Sequence, residues 1–241
     1  MTQSSDTPTL FTVWGTPVKV HPGILANLAA LWGSLSWWAG RRQPARSWPV
    51  RLGIGFLQTL ALLSADMGHA MTHIVSARMA DAPMDEIVVS SGMPRTLYHD
   101  NDVPPRAHRL RSLGGPVFSG LGLLISVFLR ALTPRGSGMR EVTDASCLGH
   151  GFILLGSLAP LPFVDGGCLI KWTLVEAGRS EGEAEALVKT LDLALGTACA
   201  TTGVVVAATR RGQPAGRQWL PALGLLAAGG IALAAALDKL R

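Results

Sequence analysis

Long apolar stretches dominate this chain and dictate its solvent. Six of them, at about residues 22–39, 50–79, 115–132, 146–163, 187–209 and 219–237, carry little charge over 18 residues or more. A helix that crosses a bilayer needs roughly 20 mainly apolar residues. Backbone polar groups in hydrocarbon must be satisfied within the element itself, which selects helices. The expectation is an all-α polytopic membrane protein of about six transmembrane helices, multi-pass, with the lipid bilayer as its surroundings. Charge agrees: only 15% of the residues are Asp, Glu, Lys or Arg, against about 25% in a soluble domain.

The net charge of +5 does not signal nucleic acid. The arginines gather at the ends of apolar runs, in "GRRQPARSWPVR", "RAHRLR" and "RRGQPAGR", as membrane flanks do. Counted by side, the basic residues divide almost evenly, so they fix no orientation. The first residues lack a basic start followed by an apolar core, so no cleavable signal peptide is expected. Cys147, Cys168 and Cys199 form no CxxC pair and are expected to pack as small apolar residues rather than as disulfides.

Between the second and third runs lies a polar segment, 81–112. Its "MDEIVVSSGMPRTLYHD" reads as a strand or short hairpin, with Asp85 and Glu86 expected to be solvated. Residues 176–186 form a charged connection, and the last two apolar runs are rich in Gly and Ala, suited to close helix packing. The expected organisation is an N-terminal extension over 1–21, a membrane core over 22–175 that carries the chemistry, and two C-terminal packing helices over 176–241.

The chemistry lies in the ionisable residues at membrane depth: Asp66, His69 and His73 in the second run, His150 in the fourth, and Asp165 just after it. Such groups are costly in lipid and face the protein interior. His69 and His73 share one helical face and can share a metal ion. Ordinary packed histidines are the plainer alternative, and two ligands do not complete a site. "LAPLPFVDGG", 158–167, is the natural donor of a third. Pro160 and Pro162 bar a regular helix, and Gly166 and Gly167 allow a tight path behind Asp165. The plainer reading of Asp165 is a cap on the helix that follows.

Together these stretches resemble the site-2 protease family of intramembrane zinc metallopeptidases. "VKVHPG", 18–23, looks like the extended segment before that family's first helix. "HAMTHIVSARMADAPMDEI", 69–87, is similar to its H-E-x-x-H helix and following strand. "LRSLGGPVFSGLGLLIS", 110–126, is similar to its A-G-P helix start, and "LAPLPFVDGG" to its L-P-x-P-x-x-D-G-G stretch. The likeness covers roughly residues 15–175. It implies Zn2+ bound by His69, His73 and Asp165, with water in the fourth position.

This sequence departs from the family pattern twice. The glutamate that acts as general base in the family is Ala70 here, and Ser157 stands where the family usually has asparagine. Asp66, one turn before Ala70, is a weak substitute for the base. Its side chain leans toward the helix N-terminus, away from the metal. It can instead pair with an arginine or hydrogen-bond a histidine. Ser157, His150 and Gly166 remain as residues that orient ligands or substrate, and for His150 a simple hydrogen bond between helices is favoured. Two functions follow: a zinc endopeptidase of transmembrane segments with an atypical base, or a catalytically silent relative that keeps zinc and binds membrane segments or a partner. A metal transporter is a third alternative, without inverted-repeat symmetry to support it.

Overall fold

The structure is a computed structural model and describes residues 7–90, 93–210 and 215–237; for 215–218 it describes backbone alone. Residues 1–6 of the expected N-terminal extension, and most of the basic "RRGQPAGR" stretch, lie outside the described residues and side chains. The chain divides into two compact units, Met1–Ser157 and Leu158–Arg241.

The first unit opens with a hairpin, β1 (Thr9–Val13) and β2 (Thr16–Val20). Its turn is Trp14–Gly15, both at positive φ (48° and 84°), the backbone signature of a tight two-residue hairpin turn. Helices α1 (Ile24–Arg42) and α2 (Trp48–Met79) follow, then β3 (Glu86–Val89), β4 (Arg95–Leu97), α3 (Pro105–Leu132) and α4 (Gly138–Ser157). The strands form one sheet in the order β1-β2-β3-β4. β2 and β3 are parallel, with Val18 opposite Ile87, and the outer pairs are antiparallel. A strand or hairpin alone was expected; the sheet is larger because the N-terminal segment supplies half of it.

α2 is 32 residues long, about 48 Å at 1.5 Å per residue, and Pro49 starts it where a missing amide is harmless. Its C-terminal half packs under the sheet. Val18, Ala70, Ile74, Ala77, Met84, Ile87 and Val89 make one buried cluster. Glu86 is also buried there, beside the ammonium of Lys19 at 2.5 Å. The expectation that Glu86 is solvated is therefore wrong. A buried carboxylate needs a partner, and the neighbouring parallel strand provides one.

Four helices among the described residues are long and apolar enough to cross a membrane: α2, α3, α6 (Glu181–Thr209) and, in α7 (Ala215–Ala236), the stretch Trp219–Ala236. α1 is diluted by Asn27 and three tryptophans, and α4 by Arg140, Glu141 and Asp144. On α3, Leu121, Leu124, Ile125 and Phe128 stay exposed, as apolar side chains do when the surrounding solvent is lipid.

The second unit holds α5 (Asp165–Glu176), α6 and α7. Ser180 and Glu183 form a capping box at the start of α6, reciprocally satisfying two end amides. α6 and α7 meet at small residues, Gly196 lying against Leu233 and Gly229 against Ala200, which permits close backbone approach.

Candidate metal centre

The helix that carries the two histidines also fixes their separation. On α2 the rings of His69 and His73 stand edge to face, with centroids 5.0 Å apart and their Nε2 atoms 3.3 Å apart. Each ring is held from behind by α3. Nδ1 of His73 donates to the carbonyl of Arg111 at 2.7 Å. A carbonyl only accepts, so the proton sits on Nδ1 and the lone pair on Nε2. Nδ1 of His69 lies 3.0 Å from the hydroxyl of Ser119, a side chain fully shielded from solvent. This is the arrangement of metal-ligating imidazoles, whose outer nitrogen is fixed by a second group.

Gly115 closes the set. A Cβ there would overlap Nε2 of both histidines, so only glycine leaves room beneath the pair. Arg111, Gly115 and Ser119 recur every four residues on α3 and so form one stripe facing α2. All three lie in the stretch 110–126 singled out above, where none of them had a role assigned. The signal was present in "RSLGGPVFS", as a four-residue spacing of polar and small residues on an otherwise apolar helix.

Arg111 itself is buried. Its guanidinium donates to the carbonyls of Ala82 at 2.7 Å and Asp100 at 3.1 Å and lies 4.5 Å over the Tyr98 ring. It thus ties the segment after α2 and the end of β4 to the residue whose carbonyl orients His73. Outside the spans, the His99 amide donates to Asp85 Oδ2 at 2.7 Å. That bond, chiefly, holds the Asp85 carboxyl below the usual carboxylate range.

The other candidates sit elsewhere. Ala70 is buried in the apolar cluster under the sheet. Asp66 is half-buried, and no hydrogen bond or ion pair engages it among the described residues; it lines a cleft between helices. No arginine pairs with it among the described residues, and His69 acts on it only through space, without a hydrogen bond. His150 is buried against Phe118, ring centroids 5.6 Å apart, and its Nδ1 finds no hydrogen-bond partner among the described residues. The interhelical hydrogen bond favoured for it is thus not made through that nitrogen. The hydroxyl of Ser157 turns back to the carbonyl of Leu154 at 3.2 Å, within its own helix.

In the second unit, Asp165 opens α5. The cap position belongs to Val164, whose backbone is extended, so Asp165 is a first-turn residue and not the cap. The backbone of 158–164 folds over that turn. A Cβ on Gly166 would strike the carbonyls of Leu158 and Ala159, and one on Gly167 the carbonyl of Leu161. Both glycines are required by this close approach. The three cysteines are free thiols.

These features define a multi-pass membrane protein, mostly helical, with a small sheet over the end of the helix that bears a paired-imidazole site. The fold is similar to that of the Site-2 Protease from Methanocaldococcus jannaschii, with a TM-score of 0.53 over 98% of this chain and 95% of that one, at 11% sequence identity. No family model and no curated protein matches the sequence.

Proposed function

We propose that this chain is a site-2-protease-like membrane protein that holds zinc through His69, His73 and Asp165 and uses the site to bind membrane segments rather than to cleave them. α1 and α4 act as spans beside the four apolar helices, giving six crossings. The observation that carries the metal is the approach of two imidazole Nε2 atoms to 3.3 Å with Nδ1 of each already engaged. Nε2 of His73 carries a lone pair, and with the Nδ1 proton of His69 given to Ser119 a second lone pair meets it, an arrangement that a cation between them stabilises. His, His and carboxylate each offer one ligand atom of a kind zinc accepts. When bound, zinc supplies Lewis acidity for polarising a carbonyl.

The chain's own residues would bind and orient. Arg111 and Ser119 fix the two rings, and Gly115 leaves space at their inner face. Ala70 has no proton to take or give, and its surroundings are apolar. A positioned general base typically contributes 10²–10⁴-fold, so cleavage is expected to be slower by about that factor.

Zinc content and cleavage test the reading together. Purified parent should carry zinc that both His69→Ala and Asp165→Ala lose, and should leave a transmembrane substrate intact while Ala70→Glu cuts it. A parent that cleaves efficiently and loses that activity on Asp66→Asn would overturn the silent assignment. A parent without zinc would overturn the metal.

A further inference from the structure

Three helices of the first unit, with Met93 of the β3–β4 connection, line a cleft of about 300 Å³ whose wall is almost wholly apolar. α1 contributes Ile24, Leu28 and Leu31, one stripe at helical spacing; α2 contributes Leu62 and Leu63; α4 contributes Phe152 and Ile153. Phe152 is 69% exposed, so the cleft opens sideways toward lipid. One carboxylate lines it, that of Asp66.

A charged group at this depth is costly and is retained where something meets it. Among the described residues Asp66 makes no hydrogen bond and no close ion pair; what reaches it is the field of His69, one turn along α2. The nearest imidazole, His69, is turned to α3 and bonded to Ser119. An acid left open in an apolar, lipid-facing cleft is complementary to a long apolar stem that ends in a cation. Lysine and arginine side chains have that form. The cleft is at the lower end of ligand-pocket volumes, sized for one such side chain and not for a whole helix.

The geometry points to Asp66 as a specificity residue: the α1–α2–α4 cleft receives a Lys or Arg side chain projecting from a transmembrane segment of another protein, with Asp66 as its counter-charge. This rests on the reading above that the protein binds membrane segments, and it adds which segments.

The test uses the full chain in lipid nanodiscs and two fluorescent Leu/Ala transmembrane peptides, identical except for a central Lys or a central Leu. Energy transfer reports association, and zinc content is measured on the same samples. The Lys peptide should bind the parent roughly tenfold more tightly, the scale of a good polar contact between membrane helices. Asp66→Asn should bring the two peptides level with zinc unchanged, while Asp66→Glu keeps the preference. Leu31→Trp, which fills the cleft, should weaken the Lys peptide without altering zinc. Equal binding of both peptides to the parent, or a preference that survives in Asp66→Asn, would overturn the assignment with the metal reading intact. Loss of zinc from the parent would strike at that reading instead.

Discussion

The carbonyl of Arg111 accepts the Nδ1 proton of His73 at 2.7 Å, so one imidazole takes its tautomer from the backbone of the neighbouring helix. The same residue anchors the polar segment through its buried guanidinium. Ring orientation and segment position are therefore coupled through one residue of α3.

Replacing Arg111 by lysine should be costly despite the conserved charge. A lysine lacks the planar fork that spans the carbonyls of Ala82 and Asp100. Ala82 is buried and Asp100 exposed, so the cost is chiefly that of one buried carbonyl left unpaired, about 1–3 kcal/mol, and Arg111→Lys should lower stability by about that much in a denaturant titration in detergent.

Gly115→Ala should abolish metal binding while leaving helix content unchanged. The added methyl occupies the space in front of both Nε2 atoms, and neither ring can withdraw without breaking its bond to α3. Zinc stoichiometry beside far-ultraviolet circular dichroism measures both halves of this expectation.

Ser119→Ala removes the group that orients His69 and adds no bulk. Loss of such a supporting bond typically weakens metal affinity by about 10–100-fold. Competition with a chelator of known affinity reads that factor, and Ser119→Thr should restore most of it.

Acid should loosen the junction between β3 and the end of β4. The Asp85 carboxyl is held below its ordinary value of 3.8, first by the His99 amide. A depressed folded value means the ionised form stabilises the junction above about pH 4 and that this support is lost as pH falls through the lower folded value. Protection of the His99 amide, taken relative to an unstructured amide at the same pH, should fall there in the parent, whereas in Asp85→Ala, which has no acceptor for that N–H, it should be absent across the whole range.

The helices were legible because lipid imposes one pattern, a long run without charge. The histidine pair was legible because four-residue spacing has one meaning on a helix. The sheet was not, since β2 and β3 are parallel partners whose pairing, Val18 with Ile87, spans two helices of intervening sequence. For the same reason Lys19 and Glu86 gave no sign of each other. α4 begins at Gly138, earlier than its apolar run suggests, because Glu141 meets Arg46 at 2.9 Å and Asp144 meets Arg130 at 2.5 Å. Ion pairs to another helix or to the α1–α2 connection are invisible along one stretch of sequence. The orienting groups of the two rings come from α3, whose serine and glycines look like ordinary packing residues until their partner is known.

The length of α2 has a consequence for exchange with water. Its 32 residues exceed the roughly 30 Å of hydrocarbon by more than half. His73 lies six residues from the helix end at Met79, about 9 Å along the axis, on the end covered by the sheet. This position predicts that ions and water reach the imidazoles from the face of the membrane that bears the strands. A chelator that cannot cross lipid should strip the site in sealed vesicles of one orientation and spare it in the other.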